Sequence, residues 1–288
     1  MLGHMSCVIR NVIREWRRIR GKRRKRTKGL SLRLAIQQKT LQTSIDVVVA
    51  EKTLLLARDS GFAPGMRLIK YLQDETNALG VTWRFRRKRA RLIEEMILRA
   101  HDERGCCRIL DVGGEIDYWN VIDRASLERR CVHIVCLNRK PLESQDDLID
   151  TVVGDACNLP FNDKSFDIVH SNSVIEHVGD WHRVRAFAGE TRRVGRRYYV
   201  QTPNFWFPVE PHYSALFIHW LPEPVRAQML MTADRGFFPK AEDVSRAIEM
   251  ARSARLLDRK MVQYLFPDAD LHDEKLLGLT KSLIAARM

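Results

Sequence analysis

Short β-branched runs alternate with helix-like segments from Cys106 to the end of the chain, and this alternation constrains the fold more than any other feature. Seven runs have the length and composition of buried strands: 107–112, 132–137, 151–153, 166–171, 198–201, 261–265 and 280–285. Helices are expected at 118–129, 174–194 and 240–252. Strands that alternate with helices form βαβ units around a mostly parallel sheet. The pattern therefore predicts an α/β fold with a doubly wound, seven-stranded sheet whose last strand is antiparallel.

Charge and composition divide the chain into three zones. Residues 1–34 form a basic arm with twelve Lys and Arg against one acid, so most of the net charge of +13 lies there. Residues 35–104 have a helical pattern, and residues 105–288 form the predicted catalytic domain. The six cysteines form no CxxC pair and are expected to be reduced. No apolar run reaches the roughly 18–20 residues that span a bilayer, and no secretory signal is recognisable, so we expect a cytoplasmic protein.

The first predicted strand runs into a turn that contains an acid and two glycines, Asp111, Gly113 and Gly114. In a doubly wound sheet, ligands bind at the carboxyl ends of the strands, where the strand order reverses beside the first strand. Glycine there lets the backbone approach a ligand, because no Cβ intrudes. The turn lacks the GxGxxG pattern that holds a pyrophosphate. An acid in its place favours a ligand that carries positive charge.

A second stretch combines four short patterns: GDA at 154–156, LPF at 159–161, FDIV at 166–169 and EHV at 176–178. With the first turn, these patterns resemble the class I methyltransferases that depend on S-adenosylmethionine (SAM), especially the type 11 group that contains quinone-pathway enzymes. The resemblance is strong over about residues 105–205 and looser beyond them. It implies a Rossmann-like sheet, here preceded by a helical, basic N-terminal extension, and SAM as the cofactor.

The same resemblance implies which residues hold the reactive half of SAM. Asp111, Gly113 and Gly114 would line its methionine end. Ser171 and Asn172, which follow the fourth strand, would border the sulfonium and the methyl acceptor.

The adenosine half is assigned to the ends of the second and third strands. Asn138 would face the ribose hydroxyls, Asp155 would accept from the adenine amino group, and Ala156 would donate its backbone N–H nearby. The family usually has an acid in place of Asn138, and glycines where this chain has Glu115 and Asp117. An amide offers one acceptor oxygen where a carboxylate offers two, so ribose binding is expected to weaken by about 1 kcal/mol. A non-catalytic, SAM-binding protein is therefore kept as an alternative.

Three residues are candidates for the chemistry. Methyl transfer needs an aligned acceptor, and a hydroxyl acceptor also needs a base. Glu176 and His177 follow the fourth strand, and His212 belongs to an aromatic segment after the fifth. The alternative is that Glu176 and His177 only orient the start of a helix. The three residues and Glu210 can be pictured as a metal cluster, but their spacing matches no recognised ligand pattern, so no metal is predicted.

The segments around these candidates also have two interpretations. The aromatic segment 201–213 is expected either to form an acceptor pocket or to pack a local core. The apolar segment 215–221 is expected to be a lid helix over an oily acceptor.

The basic arm suggests partners. Residues 8–19 form an amphipathic helical pattern, and the cluster 22–28 follows it, which is typical of binding to an anionic membrane surface through residues 8–28. A second basic cluster at 84–89 follows Trp83, and basic residues interleaved with aromatics also suit nucleic acid. A solvated tail is the remaining alternative.

These features predict a SAM-dependent methyltransferase that acts on a small-molecule or lipid-like acceptor at oxygen. A nucleic-acid methyltransferase is the rival interpretation. Two absences count against it: no NPPY-like motif follows the fourth strand, and no cysteine follows a proline as a cytosine-carbon nucleophile would.

Overall fold

The computed structural model describes residues 81–288. The predicted basic arm and most of the predicted helical region before residue 105 lie outside the described residues. The strands are β1 (Cys107–Val112), β2 (Val132–Asn138), β3 (Ile149–Val153), β4 (Phe166–Asn172), β5 (Gly195–Pro203), β6 (Val209–Glu210), β7 (Ala215–Leu216), β8 (Asp270–Leu276) and β9 (Leu279–Arg287). The α-helices are α1 (Val81–Arg104), α2 (Arg124–Arg129), α3 (Trp181–Val194), α4 (Glu223–Thr232), α5 (Val244–Arg252) and α6 (Arg259–Leu265). Short 3₁₀ helices lie at Ile116–Val121, Ile175–His177 and Ile218–Trp220.

Seven strands form one sheet in the order β3-β2-β1-β4-β5-β9-β8. The first five pair in parallel, and β9 pairs antiparallel with both β5 and β8. This is a Rossmann-like, doubly wound sheet with an antiparallel last strand, which confirms the predicted fold class. The strand order reverses at β1, which lies between β2 and β4, so the carboxyl ends of β1 and β4 frame the expected ligand site.

The central strands contain buried apolar runs because helices cover both faces of the sheet. Along β1, Ile109 belongs to the core on the α1 side, whereas its neighbour Leu110 belongs to the core on the α3 side. The same alternation separates Tyr199 from Tyr198 on β5. Successive strand residues point to opposite faces, so an uninterrupted apolar run supplies two cores at once.

Helix α1 packs in the same core as the sheet. Its side chains Ile93, Met96 and Ile97 are buried against residues of β1 and β4. The predicted division at residue 105 therefore runs between a helix and the sheet that it covers.

Near the C-terminus, one predicted strand was wrong and one strand was missed. Residues 261–265 form part of helix α6 and not a strand, because Asp258 caps the helix by accepting a hydrogen bond from the Met261 N–H at 2.8 Å. The sixth strand of the fold is β8, whose charged sequence contains only two apolar residues. It is an edge strand with little burial, so it lacks the apolar run that marks a strand in the sequence.

Three predicted helices were too long or of the wrong kind. The segment predicted at 118–129 divides into a 3₁₀ helix and the short helix α2, whose cap Asp123 accepts from the Ser126 N–H. The segment predicted at 174–194 becomes helical only at Trp181, behind the cap Asp180. The predicted lid helix at 215–221 is instead strand β7 and a 3₁₀ turn, with Phe217 in the left-handed region at φ 60°.

Candidate functional site

A polar cavity of about 240 Å³ opens at the carboxyl ends of β1 and β4. Its lining combines the glycine turn after β1, the end of β4 and the first turns of α1: Arg86, Asp111, Gly113, Gly114, Glu115, Tyr118, His170, Asn172 and Ser173. Four of the eight residues predicted to hold SAM therefore meet here, namely Asp111, Gly113, Gly114 and Asn172.

Asp111 is fully buried, and both of its carboxylate oxygens are engaged by protein groups. Oδ1 lies 2.6 Å from Nδ1 of His170, and Oδ2 accepts a hydrogen bond from Nε1 of Trp119 at 2.9 Å. The carboxylate thus fixes an aromatic cluster in which the His170 ring stacks on Tyr199 at 5.3 Å. Asp111 borders the cavity and, in addition to the role predicted for it, organises the wall behind it.

The glycine turn is required sterically at both positions. Gly113 has φ +70°, and a Cβ there would lie 2.6 Å from a methyl group of Val174. A Cβ on Gly114 would lie 1.9 Å from Oδ2 of Asp111. The two glycines therefore let the backbone pass directly over the buried carboxylate and leave the cavity open above it.

The residues of the cavity fit the amino-acid end of SAM. That end is a zwitterion, and the lining offers both signs of charge through Arg86 and the exposed Glu115. Among the described residues, nothing hydrogen-bonds the buried Nε2 of His170 or the buried hydroxyl of Tyr118, and both side chains line the cavity. Buried polar atoms are rarely left without a hydrogen-bond partner, so a polar ligand in this cavity could supply the partners that Nε2 of His170 and the Tyr118 hydroxyl lack.

The residues predicted for adenosine lie beside this cavity and do not line it. Asn138 ends β2 and donates from Nδ2 to the backbone oxygen of Gly114 at 3.4 Å, so it adjoins the glycine turn. Asp155 accepts from the Cys157 N–H and from Arg183, and the latter contact is 2.8 Å. The backbone N–H of Cys157 and Arg183 lower the pKa of Asp155 against the opposing effect of partial burial. Its carboxylate is 44% exposed and remains accessible.

Ala156, predicted beside the adenine, is partly buried against the core and does not line this cavity. Ser171 is fully buried and donates to the backbone oxygen of Val112 at 3.1 Å. It joins β4 to β1 and does not reach the cavity. Asn172, the next residue, does line the cavity, because successive strand residues point in opposite directions.

Sequence reasoning missed the contribution of α1, which supplies the lining residue Arg86 and the buried Arg89 that holds Asn172. Arg89 is buried and donates to Glu274 of β8 at 2.9 Å and to Oδ1 of Asn172 at 2.8 Å. Burial opposes the charged form of Arg89, but attraction to Glu274 outweighs it and raises the pKa of the guanidinium. In the sequence, only the basic cluster at 84–89 pointed to this contact, and the cluster was interpreted there as suited to nucleic acid. Arg86 of the same cluster lines the cavity, so part of the cluster serves the site.

The three candidate catalytic residues come together in one cluster. Atoms of Glu176, His177 and His212 lie within 4.8 Å of one another. Nε2 of His212 is 3.0 Å from Nε2 of His177, and Nδ1 of His212 is 2.6 Å from Oε1 of Glu210. Glu176 is buried and accepts from the Thr202 hydroxyl at 3.0 Å. The loop after β5 therefore folds back over the end of β4, which sequence spacing alone does not reveal.

The electrostatics of this cluster follow from burial. Burial raises the pKa of Glu176. Burial alone would lower the pKa of His212, but the hydrogen bond and charge of Glu210, with the charge of Glu176, raise it overall.

A larger cavity of about 860 Å³ adjoins Glu210. Its walls come from the start of α3, the aromatic segment after β5, and helices α4 to α6. The aromatic residues among them are Trp181, Phe205, Trp206, Tyr213 and His219, and charged groups include Asp180, Glu223, Arg226 and Arg252. The segment 201–213 thus supplies cavity walls through Phe205, Trp206 and Glu210, while Tyr213 also packs in a small core with Ile218 and Leu230.

Within residues 81–288, no helix combines the length and the apolar character that crossing a membrane requires.

Comparison with known proteins places residues 125–197 in a family described as a methyltransferase domain. No curated protein sequence matches the chain. Solved structures similar to it include a SAM-dependent methyltransferase from Methanosarcina mazei, with 15% identity over 64% of this chain and 93% of that one, and a TM-score of 0.38. A protein from Pyrococcus horikoshii is 16% identical over 78% of this chain and 98% of that one, with a TM-score of 0.39.

The family match runs from α2 through β2, β3, β4 and α3 into the start of β5. It contains the GDA, LPF, FDIV and EHV patterns, whereas the glycine turn at 111–114 lies before it. Residues 125–197 are therefore similar to a methyltransferase domain, in agreement with the resemblance that the sequence patterns imply.

Proposed function

We propose that this methyltransferase transfers the methyl group of SAM to a hydroxyl oxygen of a small, partly apolar acceptor, either a metabolite or a lipid-like molecule. The observation that carries the proposal is the cavity of about 860 Å³ with aromatic walls, whose lining includes Glu210, the hydrogen-bond partner of His212. Small-molecule sites in proteins have about this size and are mostly apolar with a few directed polar groups.

The shape of the lining supports an acceptor with an aromatic or lipid-like body. Trp206 is 63% exposed, and its ring contacts Phe205 and Trp220 edgewise or tilted, at centroid distances of 5.0 and 6.3 Å. Exposed aromatic side chains of this kind bury apolar area when a ligand binds. Arg226 and Glu223 add polar groups that can orient one end of the acceptor.

The His212–Glu210 pair supports transfer to oxygen. Glu210 also accepts a hydrogen bond from the Tyr213 N–H, so its carboxylate is held in place and orients the imidazole. A hydroxyl acceptor must lose its proton during methyl transfer, and an oriented histidine is the most common group to receive it. An amine acceptor would not need this arrangement.

The order of residues along the chain supports a path between the two cavities. Ser173 lines the polar cavity, and its hydroxyl donates to Gln201 of β5 at 2.9 Å. Thr202, the next residue of β5, binds Glu176, and Glu210 lines the larger cavity. The histidine cluster thus lies along the segments that run from one cavity to the other.

A nucleic-acid acceptor remains the rival. It is less well supported by the described residues, because Arg89 of the second basic cluster is buried against Glu274 and Arg86 lines the polar cavity. If the acceptor is lipid-like, residues 8–28 are proposed to bring the protein to the membrane surface where such an acceptor lies.

The test is a two-step measurement on the full chain. Isothermal titration should first give SAM binding with a Kd below millimolar. Incubation with methyl-labelled SAM and fractionated extracts should then label an organic-soluble or small polar product, and mass spectrometry should place the label on oxygen. Label that follows RNA or DNA and disappears after nuclease treatment would replace this proposal with the rival, and a folded chain without SAM binding would contradict the enzyme itself.

A further inference from the structure

We propose that His177, His212 and Glu176 bind one divalent transition-metal ion. The three side chains come from the 3₁₀ helix after β4 and from the loop between β6 and β7, and their ligand atoms lie within 4.8 Å of one another. The site goes beyond the methyl-transfer proposal, and it stands on geometry that does not depend on which acceptor is used.

The first step of the case is the tautomeric state of the two histidines. Nδ1 of His177 lies 2.9 Å from the backbone oxygen of Ser253, which can only accept, so this nitrogen carries the proton. Nδ1 of His212 faces the Glu210 carboxylate at 2.6 Å and is protonated for the same reason. In neutral imidazoles the two Nε2 atoms are then both acceptors, yet they face each other at 3.0 Å. Two facing lone pairs at this distance repel each other, and a proton or a metal ion between them removes the repulsion.

The distance itself suits a shared metal ion. Imidazole nitrogens bind zinc at about 2.0–2.1 Å, so two neighbouring nitrogen ligands of one ion lie about 2.8–3.4 Å apart for ligand angles of about 90–109°. The observed 3.0 Å lies within this range.

The third ligand is a buried carboxylate oxygen without a partner. Glu176 is 1% exposed, and its Oε2 accepts from the Thr202 hydroxyl. Within the described part of the chain, no group hydrogen-bonds the buried Oε1. A carboxylate without a partner is costly to bury, and a cation beside it removes that cost.

The surroundings of the two histidines match those of metal ligands. A metal-binding histidine almost always donates its other ring N–H to a carboxylate or a backbone carbonyl, which fixes the ring and makes the free nitrogen a better ligand. His212 does so to Glu210, and His177 does so to Ser253. The buried Glu210 is itself held by the Tyr213 N–H at 2.6 Å.

Two imidazoles and one carboxylate indicate the class of metal. Such a donor set suits zinc, manganese, iron, cobalt or nickel, whereas magnesium and calcium prefer sites made of oxygen atoms. Three protein ligands leave at least one coordination position open. An acceptor oxygen bound there would have a lower pKa, so with metal bound the ion would assist oxygen methylation in place of a histidine base, because Nε2 of His212 is then a ligand.

The experiment uses the full chain stripped of metal with a chelator. Zn²⁺ and Co²⁺ are titrated calorimetrically, and Co²⁺ is also followed by its visible absorption bands. The same titrations are made on His177→Gln, His212→Gln and the matched control His133→Gln, whose exposed ring pairs with Asp150 outside the cluster. Circular dichroism and thermal unfolding check that each variant is folded.

We expect the wild type and His133→Gln to bind one more equivalent of Zn²⁺ or Co²⁺ than either cluster variant, and Mg²⁺ to bind at least about 100-fold more weakly. Because the comparison uses the difference in metal stoichiometry between proteins, metal bound elsewhere in the chain cancels out. Equal stoichiometry in the wild type and in folded His177→Gln and His212→Gln would overturn the proposal, and the histidine contact would then be a shared proton. The readout is metal binding, so it stands or falls separately from methyl-transfer activity.

Discussion

The carboxylate of Asp111 lies 2.6 Å from Nδ1 of His170, and the pair is buried beneath the glycine turn of the polar cavity. An acid at this turn suggested a counter-charge for the cofactor, and the structure adds that it also fixes the rings of His170 and Trp119. The cavity wall therefore depends on Asp111 before any ligand arrives.

Asp111→Asn is expected to destabilise the fold as well as to weaken SAM binding. The amide keeps one acceptor oxygen, so either His170 or Trp119 loses its charged partner inside the core, at a cost of about 1–3 kcal/mol. Urea unfolding measures the loss, and Asp150→Asn on the exposed face of β3 is the control. Unchanged stability in Asp111→Asn would contradict the structural role.

Gly114→Ala is expected to weaken SAM binding by about tenfold or more, or about 1.4 kcal/mol. The new methyl group would lie 1.9 Å from Oδ2 of Asp111, so either the turn or the carboxylate must move. Calorimetric titration with SAM measures the change. The matched control is Gly189→Ala in α3, where a Cβ meets nothing within 4 Å and alanine stabilises a helix by about 1 kcal/mol. Equal SAM affinity in both variants would show that the turn tolerates a side chain.

Arg89→Met is expected to lower the free energy of unfolding by about 3–5 kcal/mol, because it leaves the buried Glu274 carboxylate without its partner. The double variant Arg89→Met/Glu274→Met should recover part of this loss, since no charge then remains buried. Chemical unfolding of the three proteins gives the coupling energy. Arg99→Met removes an exposed pair with Glu95 on the same helix and should change little. A double variant as unstable as the single one would argue against charge burial as the cause.

Trp206→Ala is expected to raise the KM for the acceptor by about tenfold and to leave SAM binding and stability unchanged. Trp206 lines the larger cavity and is mostly exposed, so its removal costs contact with the acceptor and little core packing. Steady-state kinetics with the identified acceptor provide the measurement. Phe237→Ala is the control, because Phe237 is 71% exposed and does not line the cavity. An equal effect of both substitutions would remove the cavity from the proposal.

The stability of the domain should fall with pH in the acid range through Asp268. Partial burial opposes its charged form, but hydrogen bonds from Tyr198 and Arg287 outweigh this and lower the pKa of Asp268 to about 2. A carboxylate with a lowered folded pKa stabilises the fold above its unfolded pKa of about 3.9, and this stabilisation is lost as pH falls towards 2. Urea unfolding between about pH 5 and about pH 2.5 should show a smaller dependence of the free energy of unfolding on pH for Asp268→Asn than for the wild type. The exposed Asp163→Asn is the control, and identical slopes in all three proteins would contradict the assignment.

The parallel sheet and the glycine turn after β1 could be predicted from local sequence patterns. β1, β2, β4 and β5 are buried on both faces, so each contains a short apolar run, such as 109–110 in β1 and 198–200 in β5, that is visible without coordinates. The glycines at 113 and 114 are visible for a similar reason, since only glycine fits where the backbone passes over Asp111. Buried strands and tight glycine turns can be predicted from the sequence because their requirements fall on neighbouring residues.

Tertiary structure decided the features that join distant parts of the chain. Arg89 meets Glu274 across 185 positions, and His212 meets His177 across 35, and neither pair has a local pattern. The edge strand β8 was missed because it is mostly exposed and lacks an apolar run. Helix α6 was missed because it is short and only its cap, Asp258, marks its start. Chain folding brings such residues together through long-range packing, so their shared chemistry appears only once the sheet has placed the ends of β4 and β5 side by side.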